Sequence, residues 1–199
     1  MNKPNFTPGL LSLGLLLLCA SANGSEQPTL IRTVTIQGNA RTHTETIRRE
    51  LLFAPGEPLD STLVAETARN LRRLLFLGKA EIHVQETDGG ADIRVEVQDL
   101  YARALTPLLS GEAGELSYGL IALDYNFLGR GQIVQLTLER DAITGNRAAA
   151  YGRIPRLLGS RHTLSANLSA GSEGHNLQLA VSRPLYALSA RWAYGTSFT

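Results

Sequence analysis

The 199-residue chain is short of cysteine, aromatic side chains, net charge and long apolar runs. Its single cysteine, Cys19, excludes an intrachain disulfide. Aromatics make up 6% and charged residues 19%, the latter below the roughly 25% of ordinary globular domains. With 43% apolar residues, 19 glycines and 8 prolines, the chain is not a disordered polymer, and the composition suits a sheet-rich, partly lipid-facing protein. Nineteen basic residues almost cancel 18 acidic ones, which removes the electrostatic footprint of a nucleic-acid binder. Beyond the N-terminus no segment approaches the ~18 uninterrupted apolar residues of a spanning helix, so any membrane insertion has to use strands. There is no P-loop, Gly-x-Ser-x-Gly elbow, His-Glu-x-x-His motif or cysteine cluster. The four histidines, His43, His83, His162 and His175, fall in separate elements. The expectation is a non-enzyme with no catalytic residue, no metal site and no cofactor.

Residues 1–22 read as a secretory signal peptide. Lys3 gives a positive start, residues 9–18 are almost wholly apolar, and Ala20-Ser21-Ala22 is an A-x-A cleavage site before Asn23. The apolar run is too short for the ~20 residues of a spanning helix. Lipid attachment at Cys19 is disfavoured because Leu18 stands where that processing wants a small residue. Cleavage after Ala22 removes both Lys3 and Cys19, leaving a neutral, cysteine-free exported protein.

Residues 28–100 mix strand and helix periods. Val34 and Ile36 alternate with polar neighbours, and Gly38-Asn39 breaks that strand. Thr42 and Glu45 have capping-box spacing ahead of Ile47 and Leu51. Asp60 or Ser61 caps a second helix with Val64, Ala68, Leu71 and Leu75 on one face, and Gly78 is placed to stop it. Ala80, Ile82 and Val84 alternate again, Asp88-Gly89-Gly90 supplies a tight turn, and Ile93, Val95 and Val97 return.

That β-α-α-β-β order, with Val34-Thr35-Ile36-Gln37-Gly38-Asn39, Thr42 and Thr44, Leu59-Asp60, Leu74-Leu75-Phe76-Leu77-Gly78 and Val95-Glu96-Val97, resembles a POTRA domain, the periplasmic polypeptide-transport module of bacterial outer-membrane assembly proteins.

Residues 101–115, with Pro107 and Gly111, read as a linker. From 116 onward the helical period disappears and strict alternation takes over. Leu164, Ala166, Leu168 and Ala170 oppose Thr163, Ser165, Asn167 and Ser169, and Val134, Leu136 and Leu138 oppose Gln135, Thr137 and Glu139. Six strands are expected, at 116–125, 132–141, 147–154, 162–171, 175–183 and 187–197. Strands of near-constant length with one aliphatic and one small or polar face carry the signature of a transmembrane β-barrel. A soluble β-sandwich also alternates; the signal peptide, the missing cysteine and the short turns favour the barrel. Six strands fall short of the eight of the smallest barrels, so 116–199 reads as the N-terminal part of an incomplete antiparallel barrel, from a longer protein or a truncated gene product.

The turn Asn126, Phe127, Leu128, Gly129, Arg130 and Gly131, after Asp124-Tyr125, resembles the turn after the first barrel strand of BamA-type proteins, the bacterial surface antigen superfamily. The resemblance implies a bacterial outer-membrane protein, POTRA in the periplasm, that assembles or translocates other polypeptides. It also implies that residues 80–87 form a sheet edge. Glu81, Ile82, His83, Val84 and Gln85 are then the client-binding edge, by β-augmentation, with Ile82 and Val84 facing the helices. The first barrel strand, with Leu116, Tyr118, Leu120, Ala122 and Asp124, would be a second edge at the barrel seam. Expected partners are unfolded outer-membrane or secreted polypeptides, assembly proteins of the periplasm or outer membrane, and outer-membrane lipid, with no nucleic acid. The alternatives are a non-translocating POTRA scaffold or anchor, and a two-partner-type secretion pore.

Overall fold

The structure, a computed structural model, describes residues 28–112 and 114–199; the signal-peptide reading of 1–22 lies outside them. The chain order is β1 (Ile31–Gln37), α1 (Thr44–Arg48), α2 (Ser61–Arg72), β2 (Leu77–Thr87) and β3 (Gly90–Asp99). Seven further strands follow: β4 (Arg103–Ser110), β5 (Ser117–Phe127), β6 (Gln132–Asp141), β7 (Gly145–Ile154), β8 (Thr163–Gly171), β9 (Gly174–Arg183) and β10 (Tyr194–Phe198).

The first five elements make a three-stranded sheet in the order β1-β3-β2, with β1 parallel and β2 antiparallel to β3. Alternation along β3 sends Ala91, Ile93, Val95 and Val97 inward, where they meet Ile47, Leu51, Leu71, Phe76 and Ala80. The carboxylate of Asp60 accepts from the amides of Thr62 at 2.7 Å and Leu63 at 3.4 Å, satisfying two orphan donors of α2. On the solvent face Arg32 forms a two-pronged pair with Asp92, its Nε bond being 2.9 Å, and Thr33 donates to the same carboxylate at 2.7 Å. The Arg32 guanidinium, followed by the Thr33 hydroxyl, holds the Asp92 carboxyl down at about 2. The depressed value makes this tie between β1 and β3 stabilising above pH ~4 and lost as the pH falls towards the folded value.

Two local readings are corrected. The Thr42–Glu45 capping box does not form: His43 is the N-cap residue, with no side-chain cap. Asp99 arrives from the end of β3 and takes the Thr42 hydroxyl at 2.6 Å, while Glu45 pairs with Arg48 at 2.7 Å. Asp99 also accepts from the Thr42 amide at 3.0 Å, the donor that Glu45 would take in a capping box. Helix α2 stops at Arg72, so Leu75 is exposed and Gly78 lies within β2. The chain turns there to bury Phe76 and Leu77 instead.

The remaining strands form one antiparallel meander in sequential order from β4 to β10. Its register puts Leu105, Ala122, Leu136, Ala150, Leu168 and Leu177 in one row across six strands. The adjacent row on the other face is Thr106, Ile121, Thr137, Ala149, Ser169 and Asn176. The first face is therefore aliphatic and the second largely polar. Leu105, Leu136 and Leu168 are 67%, 52% and 53% exposed, so no element among the described residues covers the aliphatic face.

The expected linker at 101–115 is corrected: Arg103–Ser110 is strand β4, paired with β5, which makes seven strands rather than six. Pro107 pointed to a loop, but a residue without an N–H is tolerated on an outermost strand, and β4 is outermost. The expected strand 187–197 shrinks to Tyr194–Phe198. Its first half is held by α2 instead: Asn70 Nδ2 donates to the Tyr186 carbonyl at 3.1 Å, and the Leu188 amide donates to Glu66 at 2.6 Å.

Candidate functional site: a free sheet edge and an interdomain junction

With β3 central, β2 has one side unpaired along its 11 residues among the described residues. Glu81, Ile82, His83, Val84 and Gln85 all lie on this edge strand. Ile82 packs against the core, but Val84 is exposed, a correction to its expected inward role. Burial along β2 ends at Ile82, while Ala91 and Ile93, opposite its outer half on β3, stay buried, so the core there covers β3 and leaves the edge strand exposed.

Glu81 stands directly opposite Glu96, and like charges so placed repel. The repulsion is offset by Lys79, 3.0 Å from Glu81, and by Gln37, which donates to Glu96 at 2.9 Å. His83 lies 3.8 Å from Glu81 and 3.6 Å from Glu96. The ligand atoms of Glu81, His83 and Glu96 lie within 4.8 Å of one another. One imidazole and two carboxylates are donors that zinc accepts, although Lys79 and Gln37 already engage both carboxylates. Sequence reasoning weighed the histidines against one another and missed this cluster, because the β2–β3 register supplies Glu96.

The expected seam strand is corrected. Leu116 precedes β5, and Tyr118, Leu120, Ala122 and Asp124 lie on β5, which pairs with β4 on one side and β6 on the other. Strand β4 carries the open edge instead.

The turn of residues 126–131, between β5 and β6, packs against the start of α1. Leu128, Gly129 and Gly131 have positive φ of 54°, 69° and 63°. Asn126 braces the turn by accepting from the Gly131 amide at 2.8 Å, and its Nδ2 reaches Thr42 at 2.8 Å. The Gly129 carbonyl accepts from the His43 amide at 2.9 Å and the Thr46 hydroxyl at 3.0 Å. It thus serves donors at the start of α1, where the side-chain cap is missing. Arg49 donates to the Arg130 carbonyl at 2.7 Å. A Cβ on Gly129 would stand 2.4 Å from the Arg41 carbonyl, so this approach requires glycine. Beside it Arg156, on the turn after β7, makes a two-pronged, largely buried ion pair with Glu50, its Nε bond being 2.9 Å.

Residues 29–99 match the family model described as the surface antigen variable number repeat, POTRA. These residues form a POTRA domain. Its edge is β2, its far strand is β1, and a long antiparallel meander follows it. The chain is similar to BamA from Haemophilus ducreyi lacking POTRA domains 1–3, with a TM-score of 0.60 and 21% identity, over 77% of this chain and 31% of that one. It is also similar to CdiB from Acinetobacter baumannii, with a TM-score of 0.54 and 14% identity, over 86% of this chain and 38% of that one. No curated protein sequence matches. At these identities the likeness is one of fold, and the chain spans about a third of the length of each structure. A POTRA domain followed by an antiparallel sheet is the fold that this likeness shows.

Proposed function

We propose that the chain works in outer-membrane protein assembly or polypeptide translocation, with the POTRA domain in the periplasm binding an extended client strand along β2. The observation that carries this reading is the free edge of Leu77–Thr87 beside the central β3. Such an edge offers unpaired amides and carbonyls to an incoming chain. The exposed aliphatic face of β4 to β10 supports placing the meander in the outer membrane as part of a β-barrel. The open edge of β4, in place of the expected 116–125, is then the strand that templates clients at the barrel seam.

Two adjacent prolines test the edge. Along an antiparallel edge strand, successive amides point alternately to the paired neighbour and to the open side. Of His83→Pro and Val84→Pro, one removes a ladder donor and unfolds the hairpin, and the other removes only an outward donor. The folded variant is expected to bind an extended outer-membrane-protein peptide at least about 10-fold more weakly by fluorescence anisotropy, from lost donors and a disrupted incoming ladder. Wild-type affinity in the folded variant sinks the assignment.

A further inference from the structure

We propose that the arginines around Tyr186, on the POTRA-side rim of the meander, bind the headgroup of an anionic phospholipid. The inference rests on the reading of the aliphatic face as lipid-facing and concerns a different partner from the client. Ile154, Leu164 and Val181 form the last row of that face towards the POTRA domain. Two residues beyond Ile154 stands Arg156, and two beyond Val181 stands Arg183. The guanidinium carbons of Arg161, Arg183 and Arg156 lie 4.2, 5.6 and 5.7 Å from the centre of the Tyr186 ring. Three cations thus converge on one ring where an apolar surface ends, the level at which basic and aromatic side chains meet headgroups.

The charge there is not balanced from within the described residues. Glu50 is the only carboxylate acting on Arg161, and it is already engaged by Arg156. Arg161 Nη1 is buried with no hydrogen-bond partner, and a buried unpaired donor on a cation is costly. Burial, and then the nearby Arg156, push the Arg161 pKa down, the mark of a guanidinium short of anions. A phosphodiester anion beside the half-buried Arg161 and Arg183 would offset their charge. On the same turn Leu158 is 97% exposed, an apolar side chain beside the charged cluster that suits the edge of the acyl region.

The test uses the full chain in an uncharged detergent. Bound phosphatidylglycerol and phosphatidylcholine are counted by native mass spectrometry, with inorganic phosphate as competitor. Wild type is expected to retain phosphatidylglycerol about 10-fold better than phosphatidylcholine, because the arginines attract its net negative headgroup. The pair Arg161→Gln with Arg183→Gln should reduce that preference to within about 2-fold. The equally charge-depleted pair Arg69→Gln with Arg94→Gln, on the POTRA surface, should keep it. If the first pair fails to fold, Arg183→Gln alone should still weaken the preference. No preference in wild type, a preference that survives loss of both rim arginines, or equal loss in the control pair overturns the proposal. So does displacement of phosphatidylglycerol by an equal concentration of inorganic phosphate, which would mark a general anion site.

Discussion

Gly38→Ala is expected to remove most of the stability of the POTRA domain. Gly38 follows β1 with φ +90°, and a Cβ there would stand 1.9 Å from the Val97 carbonyl oxygen and 3.1 Å from its carbon. Both atoms are backbone of the central strand β3 and cannot rotate away, so the chain between β1 and α1 has to move. That displacement also disturbs Asn39, which donates to the Thr42 carbonyl at 2.8 Å, and Thr42 with its bonds to Asp99. The expected cost is about 3 kcal/mol or more, comparable with the whole stability of ~3–5 kcal/mol that a core of this size supplies. Gly56 is the internal control: its φ is +88°, but nothing lies within 4 Å of a Cβ built there. Gly56→Ala should cost only the left-handed backbone penalty of roughly 1–2 kcal/mol. Urea unfolding of residues 28–100 measures both, and similar midpoints for the two variants would refute the steric account.

The second large effect is a difference between the two halves of the chain. Residues 28–100 should be soluble, monomeric and cooperative in plain buffer. Their core residues Ile31, Ile47, Leu71, Ile93 and Val95 are essentially inaccessible to water and lie wholly within this segment. Residues 101–199 should aggregate without detergent. Strands β4 and β10 have one unpaired side each among the described residues, and the aliphatic rows have no covering layer. Open edges and uncovered apolar faces both promote association. Analytical ultracentrifugation of the separate pieces decides this. A monomeric 101–199 that unfolds cooperatively in buffer would mean that the meander is a soluble sheet and that the membrane reading is wrong.

The POTRA fold was legible in the sequence because its period switches coincide with its turn residues. The helix cap at Asp60, the Asp88-Gly89 turn and the inward run Ile93, Val95, Val97 are local signals, and each appears where expected. The capping of α1 was not legible, because its acceptors come from Asp99 and Gly129, far along the chain. Strand β4 was missed for a related reason. Pro107 is a loop signal unless the strand is known to be outermost, and that depends on the pairing of the whole sheet. Moving β4 into the sheet displaced the expected seam by one strand. At 187–197 the alternation of Leu188, Ala190, Trp192 and Tyr194 is real, but Glu66 and Asn70 take up backbone groups that a longer β10 would need. The turn at 126–131 was singled out from its glycines as a barrel turn. Its contacts give it a further role, since the Gly129 carbonyl and the Asn126 amide lock it to the start of α1.

Client pairing along β2 is tested most directly by disulfide cross-linking in the membrane-embedded full chain. With Cys19 replaced by serine, single cysteines are placed on β2 (His83→Cys, Gln85→Cys) and on the opposite edge β1 (Thr33→Cys, Thr35→Cys), all at exposed positions. Each is mixed with outer-membrane-protein strand peptides carrying one cysteine at successive positions. The account predicts efficient cross-links at 83 and 85. Moving the chain cysteine by two residues should move the best peptide position by two, as a continuous ladder requires. The β1 cysteines should remain unlinked. Cross-links that form only at β1, or none at β2 under conditions where the peptide binds, would contradict client binding at this edge.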